Sequence, residues 1–329
     1  MREILDHIFN GGRLERRDAE QLMVQVARGE CPPVQVAALL SAYRMRHLSI
    51  AELEGFRDGL FSLAKQVNLD ADDAVDVCGT GGDGKSSYNV STAVAFVVAG
   101  AGIRVAKHGN HGVSSMCGSS TVLEQLGVKF SDQSDVLRRQ LDRAGVCFLH
   151  APLFHPLLKN VAPVRRELGV KTFLNILGPL LNPASVSAQL LGVYNLELGR
   201  LLRYYFQQRG KQVTIVHSTD GFDEVSLSAP THALSNERER ILEARDFGFE
   251  RLAPDALCSK GGPEQNARAL LDLLTGKGDA AYRAVVIANS ALAIQLRRSH
   301  LSLADAVAQA TESIDSGKAG KSFELVREG

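Results

Sequence analysis

From residue 74 onward, short apolar runs alternate with longer helical stretches, and this alternation limits the fold more than any other feature of the chain. The runs have the length and composition of buried strands, and they cover residues 75–78, 103–106, 146–149, 188–193 and 213–217. Strands that alternate with helices form β-α units around a parallel sheet. The pattern predicts an α/β domain with a mainly parallel central sheet.

Residues 1–70 carry only helical signals, including capping-box patterns at Ser49 with Glu52 and at Asp18 with Gln21. Residues 153–168 and 170–181 also follow a helical pattern. We therefore expect a small helical domain over 1–70, joined by about 153–181, and a larger α/β domain over 71–152 and 182–329.

The C-terminal tail is predicted to be helical. Ser302 has the position of an N-cap, and the helix is expected to run to Gly317, a residue type common just past a helix end.

The charge balance and the composition exclude several classes of protein. The chain has 37 basic and 37 acidic residues and no tryptophan, so neither an overall electrostatic field nor aromatic stacking favours nucleic acid or an anionic membrane. Five cysteines without a C-x-x-C pair fit a reducing compartment. No signal-peptide pattern opens the chain, and its apolar runs are too short to span a bilayer. We expect a soluble, cytoplasmic protein.

Residues 79–86 read GTGGDGKS and match the nucleotide-binding pattern G-x-x-x-x-G-K-[ST]. The loop follows a predicted strand and precedes a helix expected near Ser91, a context in which backbone N–H groups bind phosphate. A nucleotide P-loop also needs its hydroxyl at the immediate start of the helix, but residues 87–90 continue an irregular stretch, and Asp83 lies inside the loop. The sequence thus predicts a phosphate site and disfavours, without excluding, an ATPase or GTPase.

Three further segments carry polar chemistry. Residues 107–115 and 117–120 form a second glycine- and serine-rich stretch after a strand, which suits another phosphate group. Its pair His108-x-x-His111 is a weak metal signal, because no acid or cysteine lies at a supporting spacing. The adjacent pair Arg165 and Arg166, on a predicted helix, is typical of a solvated face, but an arginine presented to a cleft suits a planar carboxylate. Asp223 and Glu224 are hard oxygen ligands of the kind that Mg²⁺ takes beside a phosphate. Together these segments indicate a magnesium-bound diphosphate and a carboxylate cosubstrate.

With these motifs in order along nearly the whole length, the chain resembles the anthranilate phosphoribosyltransferases, which catalyse the second step of tryptophan synthesis from chorismate. The motifs that carry the resemblance are residues 79–84, 89–92, 107–110, 164–169, 175–183 and 220–224. The resemblance implies a helical domain that dimerises and an α/β domain that binds 5-phosphoribosyl 1-pyrophosphate (PRPP). It leaves open a contact with an anthranilate synthase subunit.

The resemblance also implies a role for individual residues. Those expected to surround PRPP are Gly79, Gly82, Asp83, Ser87, Asn89, Val90, Ser91, Thr92, Lys107, His108, Gly109, Asn110, His111, Gly112, Val113, Ser114, Ser115 and Ser119. Those expected to bind anthranilate are Gly79, Asn110, His155, Arg165 and Gly178. Those expected to hold Mg²⁺ are Ser91, Asp223 and Glu224. No residue is assigned as a general base, because the aromatic amine is already neutral near pH 7.

The chain departs from the family's usual pattern at two loop positions, where His111 replaces an arginine and Cys117 replaces a serine. Position 85 is variable in the family, so Lys85 and Ser86 would complete the P-loop pattern by chance. The alternatives are a pyrimidine nucleoside phosphorylase of the same architecture and a non-catalytic relative that binds nucleic acid. The acid pair, the complete glycine loop and the neutral charge disfavour the latter.

Overall fold

The computed structural model of the protein describes residues 1–85, 87–112, 117–259 and 261–329. The chain separates into two compact units. Unit 1 comprises residues 1–66 and 151–183, and unit 2 comprises residues 67–150 and 184–329. Among the described residues, no helix is both long and apolar enough to cross a membrane.

Unit 1 is entirely helical. Its α-helices are α1 (Arg2–Phe9), α2 (Arg16–Arg28), α3 (Pro33–Met45), α4 (Ile50–Ser62), α8 (Ala151–Phe154), α9 (Ala162–Leu168) and α10 (Leu174–Leu177). The capping box predicted at Ser49 is confirmed, since its hydroxyl accepts from the Glu52 N–H and the Glu52 carboxylate accepts from the Ser49 N–H. The one predicted at Asp18 is wrong, because α2 begins at Arg16 and places Asp18 inside its first turn.

The second stretch of unit 1 is more broken than its helical pattern predicted. A short 3-10 helix at Pro156–Asn160 separates α8 from α9, and another at Gly178–Leu180 follows α10. Prolines open several of these turns, and Gly169 ends α9 in the left-handed conformation at φ 64°. A continuous apolar periodicity therefore concealed frequent changes of direction imposed by proline and glycine.

Unit 2 contains every described strand of the chain. These are β1 (Val75–Gly79), β2 (Val105–Gly109), β3 (Val146–His150), β4 (Ala188–Gly192), β5 (Gln212–Ser218), β6 (Thr231–Ser235) and β7 (Glu239–Leu242). Its helices are α5 (Val90–Gly100), α6 (Ser119–Gln125), α7 (Ser134–Ala144), α11 (Leu196–Gln208), α12 (Pro263–Leu274), α13 (Ala280–Arg297), α14 (Leu303–Asp315) and α15 (Lys318–Glu328), with a 3-10 helix at Ala244–Phe247.

The seven strands form one sheet in the order β3-β2-β1-β4-β5-β6-β7. β3, β2, β1, β4 and β5 pair in parallel, which confirms the predicted fold class. β6 and β7 add an antiparallel hairpin that the sequence reasoning missed. Strands in such a hairpin are short and half-exposed, and their apolar signal is correspondingly weak.

The helices α5 and α13 pack against the sheet and against each other. Residues of α5 are buried almost throughout, from Val90 to Ala99, so this helix lies inside the core and its N-terminus is held in a fixed position. At the C-terminus, α14 ends at Asp315, and Gly317 precedes the additional helix α15. The predicted tail helix was therefore correct in type and slightly too long.

Candidate functional site

The candidate site of unit 2 is built from the C-terminal ends of β1 and β4. β2 and β3 lie on one side of β1, whereas β4 and β5 lie on the other, so the strand order reverses between β1 and β4. Ligands of open α/β sheets bind outside the carboxyl ends of the strands at such a reversal. Here the two strands end side by side, with Gly79 paired to Gly192.

These two glycines leave room for the acidic loop that follows β5. A methyl group on Gly79 would lie 2.5 Å from Oδ2 of Asp223, and one on Gly192 would lie 1.6 Å from its backbone oxygen. The Gly81 N–H donates a 2.9 Å hydrogen bond to the same Oδ2 atom. Asp223 is thus held against the glycine-rich loop. Sequence reasoning missed Gly192, whose signal was a glycine at the end of a buried strand.

The loop after β1 keeps its shape through glycines in the left-handed region. Gly81, Gly82 and Gly84 have φ values of 61°, 81° and 74°, which a side chain would strain. Oδ1 of Asp83 accepts a 3.0 Å hydrogen bond from the Lys85 N–H, which closes a tight turn inside the loop. Glycines in this conformation allow a loop to present backbone N–H groups to an anion.

The P-loop interpretation finds no support at its lysine. The Lys85 ammonium lies over the ring of Phe222, 5.1 Å from its centroid. Ser87 forms an isolated antiparallel bridge with Cys258, so the chain does not enter a helix directly after the loop. Ser86 lies outside the described residues.

The acid pair lies in a strongly negative environment. Burial raises the pKa of Glu224 well above its ordinary value, and the neighbouring charges of Asp223 and Asp83 raise it further, whereas Lys107 lowers it. Oε2 of Glu224 is buried and has no hydrogen-bond partner among the described residues. A divalent cation would accept this oxygen as a ligand and would supply the compensating positive charge. The donor set therefore fits a hard metal ion.

Lys107 is almost completely buried, with 2% of its surface exposed. Its ammonium donates to the backbone oxygen of Val77 and, over 3.2 Å, to Oγ of Ser91. Burial lowers its pKa, and the charges of Asp76, Cys78 and Glu224 oppose that effect. The side chain therefore links β2 to β1 and to the start of α5 by hydrogen bonds. Its positive charge also acts on Glu224 of the acid pair.

The N-terminus of α5 is open to a ligand. Its N-cap residue Asn89 makes no capping hydrogen bond through its side chain. Oδ1 of Asn89 and Oγ1 of Thr92 are buried and lack hydrogen-bond partners among the described residues. Val90 is buried, and its N–H donates to the backbone oxygen of Tyr88 over 2.8 Å. Free N–H groups and the helix dipole at such an end favour an anion.

The loop after β2 folds back tightly on itself. Nδ2 of Asn89 donates to the backbone oxygen of Cys117 over 3.2 Å, which joins this loop to α5. The Ser119 hydroxyl donates to the backbone oxygen of Asn110 over 3.3 Å, and a methyl group on Gly109 would collide with that hydroxyl. A methyl group on Gly118 would likewise collide with the backbone nitrogen of Gly112. Three predicted site residues, Val113, Ser114 and Ser115, lie outside the described residues.

The two histidines of this loop occupy different environments. His108 is buried, and its backbone N–H donates to Asp76 over 3.2 Å. His111 is exposed, and its ring packs edge-on against the ring of His150, with centroids 4.9 Å apart. Glu124 lies 3.7 Å from Nδ1 of His111. The sequence places no acid at a supporting spacing from His111, but the fold brings Glu124 and His150 to it from distant positions.

Unit 1 carries the predicted residues His155, Arg165 and Gly178 on three of its turns and helices. His155 is 4% exposed, and its Nε2–H donates to the backbone oxygen of Leu181 over 2.9 Å. Burial lowers the pKa of this ring to about 4, so it is neutral near pH 7. Gly178 borders open space, where a methyl group would meet no atom within 4 Å.

Arg165 lies on α9 and is half-buried. Its guanidinium has no ion-pair partner among the described residues, and burial lowers its pKa from the ordinary value. An arginine that is partly removed from water and lacks a carboxylate is suited to a carboxylate ligand.

Comparisons with known proteins cover both units. The helical bundle domain of a glycosyl transferase family matches residues 2–64, and the α/β domain of that family matches residues 71–320. The chain is 48% identical over 327 residues to the anthranilate phosphoribosyltransferase of Christiangramia forsetii, covering 99% of this chain and 98% of that protein.

Two solved structures are similar over nearly the full length. The crystal structure of anthranilate phosphoribosyltransferase from Thermus thermophilus has a TM-score of 0.91 and 33% identity, covering 98% of both chains. The enzyme from Saccharomyces cerevisiae in complex with PRPP and Mg has a TM-score of 0.90 and 27% identity, covering 98% of this chain and 96% of that one.

Proposed function

The chain belongs to the anthranilate phosphoribosyltransferase family, and from that premise we propose that it transfers the phosphoribosyl group of PRPP to the amine of anthranilate. The products are N-(5-phosphoribosyl)anthranilate and pyrophosphate. The observation that carries the proposal is the convergence, at the β1–β4 reversal, of a glycine loop, an open helix N-terminus and a crowded acid pair. These are the groups needed for a pyrophosphate and its cation.

PRPP is assigned to this edge of unit 2. The left-handed glycines and Asp83 shape the loop, and Asn89, Ser91 and Thr92 present the start of α5. Lys107 contributes charge from the core rather than from the surface, because its ammonium is already engaged by Val77. The other residues assigned to PRPP are Gly79, Gly82, Ser87, Val90, His108, Gly109, Asn110, His111, Gly112, Val113, Ser114, Ser115 and Ser119.

Mg²⁺ is assigned to Asp223, Glu224 and the hydroxyl of Ser91. The unpartnered Oε2 atom of Glu224 supports this assignment, as do the burial and the neighbouring negative charges that raise the pKa of its carboxyl. When bound, magnesium neutralises the charge that develops on departing pyrophosphate. Gly79 and Gly192 position Asp223 for that role, and Lys107 orients the Ser91 hydroxyl by donating to it.

Anthranilate recognition is assigned to Arg165, whose guanidinium suits the substrate carboxylate, with His155 and Gly178 in the same unit. Gly79 and Asn110 keep the role that the resemblance implies. The amine nitrogen attacks C1 of the ribose with inversion while the C1–O bond to pyrophosphate breaks, through a transition state of oxocarbenium character, and the nitrogen then loses a proton to water. Because the aromatic amine is neutral near pH 7, the protein's contribution is positioning and electrostatic stabilisation, and no general base is assigned.

We further propose that the protein is a cytoplasmic homodimer whose contact surface lies on unit 1. Phe9, Val34 and Met45 support this surface, since they are large apolar side chains with 60%, 80% and 90% of their area exposed on the N-terminal helices. Large apolar side chains that are this exposed on neighbouring helices are typical of an interaction surface.

The test is a substrate comparison on one preparation. Anthranilate, PRPP and Mg²⁺ are mixed with the protein, and the loss of anthranilate fluorescence is followed; the same protein is then given pyrimidine nucleosides with phosphate, or ATP. We expect turnover only in the first mixture. Phosphorolysis or ATP hydrolysis without loss of anthranilate would replace the proposal with one of its alternatives.

A further inference from the structure

A cluster of three metal-binding side chains lies in unit 2, apart from the oxygen ligands assigned to magnesium. His111 follows β2, Glu124 belongs to α6, and His150 ends β3. One ligand atom of each lies within 4.8 Å of the ligand atoms of the other two. We propose that these residues bind a transition-metal cation of the zinc class. Only His111 is shared with the residues assigned to PRPP.

The buried member of the cluster is already oriented. The Ser120 hydroxyl contacts Nδ1 of His150 at 2.8 Å, and the ring of Phe130 stacks on the imidazole at 4.6 Å. In metal sites, a hydrogen bond to one ring nitrogen fixes the tautomer and the direction of the other. Nε2 of His150 is therefore the nitrogen that we assign to the ion.

The exposed members can complete the coordination. In a tetrahedral site with bonds of about 2.1 Å, ligand atoms lie roughly 3.4 Å apart, so separations within 4.8 Å must close by at most about 1.4 Å. His111 and Glu124 have side chains that are 46% and 47% exposed, and they can make that adjustment by rotation. Their exposure also provides the entry path for the ion.

The ligand types select the metal. Two imidazoles and one carboxylate suit zinc, cobalt or nickel, whereas magnesium prefers oxygen ligands and retains its water. Three protein ligands leave a fourth position for water. Since α6 and the loop that begins at Asn110 each supply one ligand, bound metal would link them directly.

The experiment measures Co²⁺ binding to the full-length protein in excess Mg²⁺, by equilibrium dialysis and by the visible absorption of tetrahedral Co²⁺. The variants are His111→Gln and Glu124→Gln, both at exposed positions. Matched controls are His300→Gln and Glu250→Gln, which change the same residue types at exposed positions elsewhere in unit 2.

We expect one Co²⁺ per wild-type chain with the tetrahedral spectrum, displaced by Zn²⁺, and an affinity at least about tenfold lower in each cluster variant. The controls should bind like the wild type. Equal binding by the wild type and both cluster variants would overturn the proposal, as would binding by none of them. Because the readout requires no turnover, its failure is separate from any failure of the proposed transferase activity.

Discussion

Gly192→Ala is the substitution that tests most sharply how the sheet positions the acid pair. The added methyl would lie 1.6 Å from the backbone oxygen of Asp223, whereas ordinary van der Waals contact begins at 3.4 Å. The acidic loop must therefore retreat by up to 1.8 Å, the difference between these two distances. A displacement of about 1 Å in a catalytic group costs on the order of 100-fold in rate, so we expect kcat to fall by about that factor.

The same substitution should affect stability far less than activity. Overpacking of one methyl costs about 1–3 kcal/mol of unfolding free energy, which a chain of this size tolerates. The assay measures kcat, the Mg²⁺ concentration for half-maximal rate, and thermal unfolding by circular dichroism. Gly262→Ala is the matched control, since its methyl would meet no atom within 4 Å and its φ is −76°.

A Gly192→Ala protein that turns over like the wild type, at an unchanged Mg²⁺ requirement, would refute the reasoning. It would mean that the position of Asp223 against β4 has no part in catalysis. Circular dichroism detects a loss of folding, and kcat is compared only for a variant that keeps the wild-type spectrum.

Three further changes test other parts of the account. Arg165→Ala should raise the KM for anthranilate about 10- to 100-fold with a smaller effect on kcat, because a charge-assisted pair is lost. The control Arg166→Ala, at an exposed position, should leave this KM unchanged. Equal KM values for Arg165→Ala and the wild type in steady-state assays would reject the assignment. Lys85→Ala should change unfolding free energy by less than about 1 kcal/mol and leave kcat/KM near the wild-type value, since the side chain lies over the ring of Phe222 and not on an assigned ligand. A large loss of activity would revive the P-loop interpretation. His155 has a pKa lowered to about 4 when folded and about 6.5 when unfolded, so the unfolded chain binds the extra proton. Its contribution to stability is complete above pH 6.5 and is lost as the pH falls toward 4, and His155→Gln should flatten that dependence in urea unfolding; an unchanged slope would contradict it.

Much of the fold could be predicted from local sequence patterns, because burial of a strand produces a run of apolar residues in the sequence. The five parallel strands are mostly buried, so most of them appear as apolar runs in the sequence. The hairpin β6–β7 and the broken helices between residues 151 and 183 were missed or simplified, because half-exposed strands and proline turns leave weak periodic signals.

The site was predictable where its residues are neighbours in sequence. The glycine loop and the acid pair each appear as one motif, but their approach depends on Gly192, which carries no chemistry of its own. The cluster of His111, Glu124 and His150 could not be predicted from the sequence, because its members belong to three elements that come together only in the folded sheet.

Binding of PRPP to the wild type and to the Asp223→Asn, Glu224→Gln double variant, measured by calorimetry with and without Mg²⁺, tests the central claim most directly. The account predicts that Mg²⁺ strengthens PRPP binding to the wild type, because the cation offsets the repulsion between the acids and the pyrophosphate. In the double variant that strengthening should disappear. The same Mg²⁺ dependence in both proteins would contradict the placement of a magnesium-bound pyrophosphate at the β1–β4 reversal.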